Sequence, residues 1–479
     1  MRMWSLSKRE EFFSELTPGV RITQQVVTGQ RIVIGLCCVL ALVGPWGVDR
    51  VRAEKMLSEM SPINDATKIP SQLERAFNPP APTETADVLP ETPLEDSSQV
   101  PFVRDAKLTL HLRNYYLTRD NLASLDIESW AQGGWLRLVS GRLWDTFFVG
   151  ATLYGSYKLD GNENGGAAGL LQPGQENITV LGELYAKFNY AGYWLKLGRQ
   201  EYDMPFLNRN DGRMIPNTFE GYSFSYLGED NSRFQYGAGY VQRMKKRNSD
   251  TFVYMSEAAG VADVKRGTFA GGARFKVSDA LSFEAFDVYT PDIINIFYAE
   301  TVARLKTEKG VGLRFAGQFI HQEGVGDDLL KWRSGSTHSL GIKADVSYRK
   351  TVLTLAATKN NSSENLISPY GSYGGYNSVI INNYNRPGEY GVRAGLSYDF
   401  EQVGLEGLSA FCNYVWGNGA VNSETGEDIP DEDEFNFTLD YRFQDSWLKG
   451  LSIRMRGALV NEEGGNSADE YRVIMNYEF

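Results

Sequence analysis

The chain has 479 residues, a formal net charge of −12, 42% hydrophobic and 13% aromatic residues, 49 Gly, 3 His and 3 Cys. A chain this long buries a sizeable core, which excludes a peptide or small disulfide scaffold, and a pI near 5.0 excludes a general nucleic-acid binder. A mean hydropathy of −0.34 with one long apolar run excludes a polytopic helical membrane protein, while 26 Tyr and 25 Phe with abundant Gly point to an all-β chain.

The first element is read as a targeting signal over 1–53. Arg31 precedes the apolar run 32–48, and Val51-Arg52-Ala53 supplies a small-residue cleavage site. Cys37 and Cys38 lie inside the run, so its removal leaves Cys412 as the one thiol, with no internal disulfide and no Cys-based metal site. No metal and no cofactor are expected. Residues 54–101 hold 8 of the 17 prolines, with three basic against nine acidic residues. Such a composition cannot bury a core and reads as an acidic linker or periplasmic tail.

From 102 to 479 the pattern is strict alternation. In 451–459, Leu451, Ile453, Met455 and Leu459 share one face while Ser452, Arg454, Arg456 and Ala458 share the other. In 434–443, Phe435, Phe437, Leu439 and Tyr441 oppose Asn436, Thr438, Asp440 and Arg442. About eighteen such segments begin near Lys107, Ser129, Thr146, Ile178, Tyr193, Thr218, Ser232, Thr268, Leu281, Asn295, Val311, His338, Thr351, Glu389, Leu408, Glu434, Leu451 and Glu470. Their connections alternate between short (190–192, 277–280, 307–310, 349–350) and long (159–177, 200–217, 245–267, 360–388, 417–433, 461–469). That alternation predicts a transmembrane antiparallel β-barrel of about eighteen strands in the bacterial outer membrane. The terminal strand ends the same way: Tyr471, Val473, Met475 and Tyr477 alternate toward Phe479, the closing aromatic that barrel assembly machinery recognises.

A barrel this wide cannot be filled by side chains, so its interior holds water and infolded loops. The default is an aqueous diffusion channel. An enzyme is not expected, because His111, His321 and His338 are the only imidazole bases and none stands by a convincing nucleophile motif. A polysaccharide-export barrel of the alginate type and a purely structural barrel are the alternatives.

The segments 107–120, 195–224 with its NDGRMIPNTFEGY element, 379–417 and the ending DEYRVIMNYEF resemble the OprD family of substrate-specific outer-membrane porins. The resemblance covers nearly everything after Pro101. It implies an eighteen-stranded monomeric barrel selective for small, mostly carboxylate-bearing solutes, with the third external loop, here 200–217, folded inward as a constriction and the 360–388 loop folding in beside it. One departure stands out. The strand matching 410–416, often basic in the family, carries Cys412, Asn413, Tyr414 and Trp416 here.

The alternation itself places Arg113, Arg442, Arg454, Arg456 and Arg472 on lumen faces of adjoining strands, with Arg442 near the periplasmic end and Arg472 near the top of a rising basic column. Arginine stays charged and pairs bidentately with carboxylate. The competing reading is that carboxylates such as Asp440 hold these arginines as wall braces. In the constriction loop, Arg209, Asp211 and Arg213 bring both signs together, and Tyr202 and Phe206 are read as packing. The expected partners are small anionic or zwitterionic solutes, outer-membrane lipid and lipopolysaccharide, and the barrel assembly machinery. The acidic run Glu427, Asp428, Asp431, Glu432, Asp433 and Glu434 is read as a solvated external loop.

Overall fold

The computed structural model describes residues 100–479 apart from 121–124, 229–231, 308–309, 333 and 445–446. The expected signal over 1–53 and nearly all of the proline-rich 54–101 segment lie outside the described residues. Pro101 opens a one-turn helix, Pro101–Arg104, where its missing N–H costs nothing.

Eighteen wall strands follow: β1 Lys107–Asp120, β2 Ile127–Val139, β3 Phe147–Gly161, β4 Ile178–Tyr190, β5 Tyr193–Gln200, β6 Thr218–Tyr226, β7 Phe234–Lys245, β8 Thr268–Lys276, β9 Leu281–Thr290, β10 Ile294–Lys306, β11 Val311–Glu323, β12 Ser336–Tyr348, β13 Thr351–Asn360, β14 Tyr390–Asp399, β15 Leu408–Asn418, β16 Glu432–Arg442, β17 Leu451–Glu462 and β18 Ser467–Glu478. Each expected start lies within three residues of an observed one. Every neighbouring pair is antiparallel, and β1 returns to β18 from His111 opposite Glu478 to Asp120 opposite Asp469, so the sheet closes on itself. Closure leaves no open edge, the condition a sheet must meet in a bilayer that offers no water to unpaired backbone.

Side chains sort by face as the alternation demands. Leu108, Leu110 and Leu112 of β1, Phe437, Leu439 and Tyr441 of β16, and Met455 and Leu459 of β17 point outward and are exposed, the arrangement a lipid-facing wall needs. The tight turns gather at one end. Ala191 and Gly192 both take positive φ, 48° and 80°, as a two-residue hairpin turn between β4 and β5 requires. Two connections on the long-loop side are short: 291–293, and 463–466 where 461–469 was expected. In the second case pairing persists to Asn461 opposite Ser467, so the strands consume the residues assigned to the loop.

The 201–217 loop crosses the lumen and is seated on apolar residues at both ends. Tyr202, Met204, Phe206 and Leu207 pack with Phe286, Ile294, Ile296 and Tyr298 of β9 and β10 and with Tyr370 and Tyr373 of the 361–389 loop. Met214 and Ile215 pack with Tyr115, Leu117, Trp135 and Tyr154 of β1–β3 and with Leu170 and Leu171. Phe206 and Tyr202 are fully buried, the packing role expected of them. Burying several such side chains, at roughly 1.5–3 kcal/mol each, holds the loop far better than its few polar contacts could.

Candidate functional site: the constricted lumen

The polar middle of the loop lies between its two apolar seats and meets the wall at β1. Arg113 donates through Nη1 to Asp211 Oδ1 at 2.8 Å and to the Arg213 carbonyl at 2.6 Å, and through Nε to Asn476 Oδ1 at 2.8 Å. The Tyr115 hydroxyl donates to the Gly212 carbonyl at 3.2 Å. Arg213 turns away from Asp211 and donates through Nε to the Ala168 carbonyl at 2.6 Å. Its guanidinium is held below its ordinary pKa by burial and then by the neighbouring Arg472. Arg209 Nη1 stands 3.6 Å from Glu201 Oε2 at the loop root. There the Tyr154 hydroxyl donates to Glu183 at 2.6 Å and lies 3.0 Å from Glu201, with Arg137 2.8 Å from Glu183 and 3.9 Å from Glu201.

The wall arginines form a cluster with one outlier. Register sets Arg456 of β17 directly opposite Arg472 of β18 and opposite Thr438 of β16. Arg472 is therefore level with Arg456, not near the top of a column, because β18 begins at Ser467, ahead of the expected start at Glu470, so that Arg472 lies well inside the strand. Arg454 pairs bidentately with Asp440, at 2.5 and 2.9 Å, yet its side chain stays half exposed. Arg456 donates through Nε to Thr438 Oγ1 at 3.2 Å. Arg472 is buried, bonded through Nε to Glu470, and donates through Nη2 to the Ile380 carbonyl at 3.3 Å. Arg442 is exposed at the short-turn end, apart from the others.

The 361–389 loop also enters the lumen. Glu434 accepts hydrogen bonds from the backbone N–H groups of Ile380 at 3.0 Å, Ile381 at 3.1 Å and Asn382 at 2.8 Å. This corrects the reading of the acidic run as an external loop. Glu432 to Glu434 open β16, and Glu434 faces inward and is fully buried.

Sequence reasoning assigned no role to a second basic group on the opposite wall. Arg304 and Arg314 face each other across β10 and β11. Arg314 stands 3.1 Å from Asp345 and 3.6 Å from Glu300. Lys343 Nζ lies 4.7 Å from the Tyr376 ring centroid, and Arg393 donates to Asn413 Oδ1 and to the Tyr376 carbonyl, both at 2.9 Å. The same alternation that revealed the first group reveals these. Arg393 also bears on the missing basic residues of 410–416, since it lies one strand over and reaches Asn413.

Residues 100–479 match the family described as outer membrane porin, OprD family. Porin D of Pseudomonas aeruginosa is 25% identical over 423 residues, covering 78% of this chain and 91% of that protein. Porin-like protein GalP of Pseudomonas putida is 25% identical over 408 residues, covering 78% and 92%. Among solved structures, Pseudomonas aeruginosa OccK9 (OpdG) superposes with a TM-score of 0.70 at 23% identity, covering 79% of this chain and 100% of that one. Pseudomonas aeruginosa OpdK, solved with vanillate, superposes with a TM-score of 0.68 at 23% identity, covering 79% and 99%. An eighteen-stranded closed barrel with an infolded loop, matched over its whole described length, makes this chain a member of the OprD family, a porin of the bacterial outer membrane.

Proposed function

We propose that the barrel gives selective diffusion to small water-soluble solutes bearing a carboxylate, through a lumen lined by Arg113, Arg442, Arg454, Arg456 and Arg472 and narrowed by Arg209, Asp211 and Arg213. The observation that carries this reading is Arg456 opposite Arg472, with the Thr438 hydroxyl where a neutralising carboxylate would otherwise stand. Half-exposed Arg454 beside them offers a guanidinium that a passing carboxylate can share with Asp440. A wall of several shallow anion contacts suits conduction, since it draws a solute in without trapping it. Low-dielectric walls focus the field of these arginines along the lumen. Arg304, Arg314, Lys343 and Arg393 extend positive charge to the facing wall. A relative solved with vanillate, an aromatic carboxylate, fits the same class.

The test is the Arg454→Gln/Arg456→Gln double variant in planar bilayers. Its reversal potentials in a salt gradient are expected to shift toward cations, and its flux of small carboxylates to fall several-fold. Wild-type reversal potentials and flux would make these arginines wall braces and remove them from the selectivity.

A further inference from the structure

The cluster around Arg456 carries more charge than a single carboxylate would neutralise. On the wall, Arg456 and Arg472 oppose each other across β17 and β18. Like charges placed directly across a sheet destabilise it unless something stands between them. Glu470 is the carboxylate bonded to Arg472, and it is already shared with Arg119. From the lumen side two loops add to the imbalance. Among the described residues the Arg213 guanidinium donates to carbonyl oxygens, those of Ala168 and Gly212, and the Glu470 carboxylate acts on it through its field. Arg247, just beyond β7, donates through Nη1 to Asn210 Oδ1 at 3.0 Å. It lies so close to the loop tip that a Cβ at Gly212 would stand 3.3 Å from that nitrogen. The Tyr115 hydroxyl links the two sides: it donates to the Gly212 carbonyl that also accepts from Arg213, and Tyr115 stands on β1 two positions from Leu117, the residue opposite Arg472. The mutual field is felt by both loop arginines. Arg247 is lowered to about 10 by burial, then by Arg213 and Arg472, so it stays charged at neutral pH.

Resting on the carboxylate reading above, we propose that Arg456, Arg472, Arg213 and Arg247 form a polyanion subsite that favours solutes with two negative charges over solutes with one. Arg456 and Arg247 are half-buried and supply the accessible guanidinium groups of the subsite, while Arg472 and Arg213 are buried and act through their field. A monoanion offsets one of the four charges. A dianion can take a planar guanidinium from the wall at one end and one from the loop at the other, each through charge-assisted hydrogen bonds. Uncompensated charge of this kind persists where it serves a ligand.

Succinate, butyrate and butyramide share a four-carbon frame and carry two, one and no negative charges at pH 7.5. The full-length protein in planar bilayers is titrated with each, reading the concentration that halves the small-ion current. Succinate is expected to act at a concentration on the order of tenfold lower than butyrate, with the gap shrinking as salt rises. Arg247→Gln should bring the two within about twofold of each other, and Arg247→Lys should preserve most of the gap. Equal action of succinate and butyrate on the wild type, or a gap that survives Arg247→Gln, overturns the subsite. Butyrate acting ahead of butyramide with no further gain for succinate overturns the subsite alone. Butyrate and butyramide acting alike overturns the carboxylate reading itself.

Discussion

Arg113 of the first strand holds Asp211 of the infolded 201–217 loop at 2.8 Å, across 98 positions of sequence. The same nitrogen also donates to the Arg213 carbonyl, so one side chain fixes both a carboxylate and the backbone two residues on. Apolar packing sets the two ends of the loop, and this contact sets how far its polar middle leans from the β1 wall.

Replacing Arg113 by Gln should therefore loosen the middle of the loop while leaving its ends seated. Breaking a largely buried ion pair by removing one partner costs about 3 kcal/mol or more. The expected outcome is a higher single-channel conductance with more open-channel noise. Arg113→Lys should recover part of the effect, since it restores charge but not the forked geometry. Unchanged conductance and noise in Arg113→Gln would show that the apolar seats alone hold the loop.

Glu434 does for the 361–389 loop what Arg113 does for the other. Its carboxylate satisfies three consecutive backbone donors at Ile380, Ile381 and Asn382. An unsatisfied buried donor costs about 1–3 kcal/mol, so Glu434→Ala should free this stretch. Limited proteolysis of the folded barrel is expected to gain a cut near 380–382, with a parallel rise in conductance. Glu434→Gln, which keeps one accepting oxygen, should lie between Ala and wild type.

The loop root should respond to pH. The Glu201 carboxyl is pushed above its ordinary value, first by burial and then by Glu183, while Arg137 and Arg209 pull it down. A carboxyl raised in the fold binds its proton more tightly there than in the released loop. Its stabilising contribution is therefore complete below the ordinary carboxylate value and fades as pH rises through the raised one. Amide exchange within 201–217 is expected to be slower, after correction for intrinsic rates, at pH 5 than at pH 7.5. Glu201→Gln should flatten that difference. Equal protection at both pH values in the wild type would remove Glu201 from the control of the loop.

The wall was legible in the sequence because a strand wet on one face and lipid-bathed on the other repeats every two residues, and that period survives eighteen times. That Arg454 and Arg456 share the face opposite exposed Met455 and Leu459 followed from it directly. Height did not. The level of Arg472 depends on where the β17–β18 hairpin turns, and the expected connection 461–469 is more than twice as long as the observed 463–466. Glu434 was legible as a strand start but was also counted in a solvated acidic run, because such a run looks alike in a loop and at a strand end. Arg247 had no signal at all. It lies at the edge of a long loop, and its neighbours Asn210 and Gly212 are more than thirty positions away.

The pairing of β1 with β18 joins residues 111–120 to 469–478, nearly the two extremes of the described chain. Every other wall contact is a hairpin that neighbouring residues can form as soon as both are present. This one alone requires the whole strand series to exist first, and until it forms β1 and β18 each present a row of unpaired backbone groups. Closing so long a loop is the entropically slowest step of the assembly. A chain halted before its last twelve residues would be a curled sheet with two adhesive margins, prone to pair with another such sheet. Phe479, whose N–H bonds to the Leu110 carbonyl at 3.0 Å, carries that closing seam one residue past β18, so the last aromatic side chain is placed only when the two margins have met.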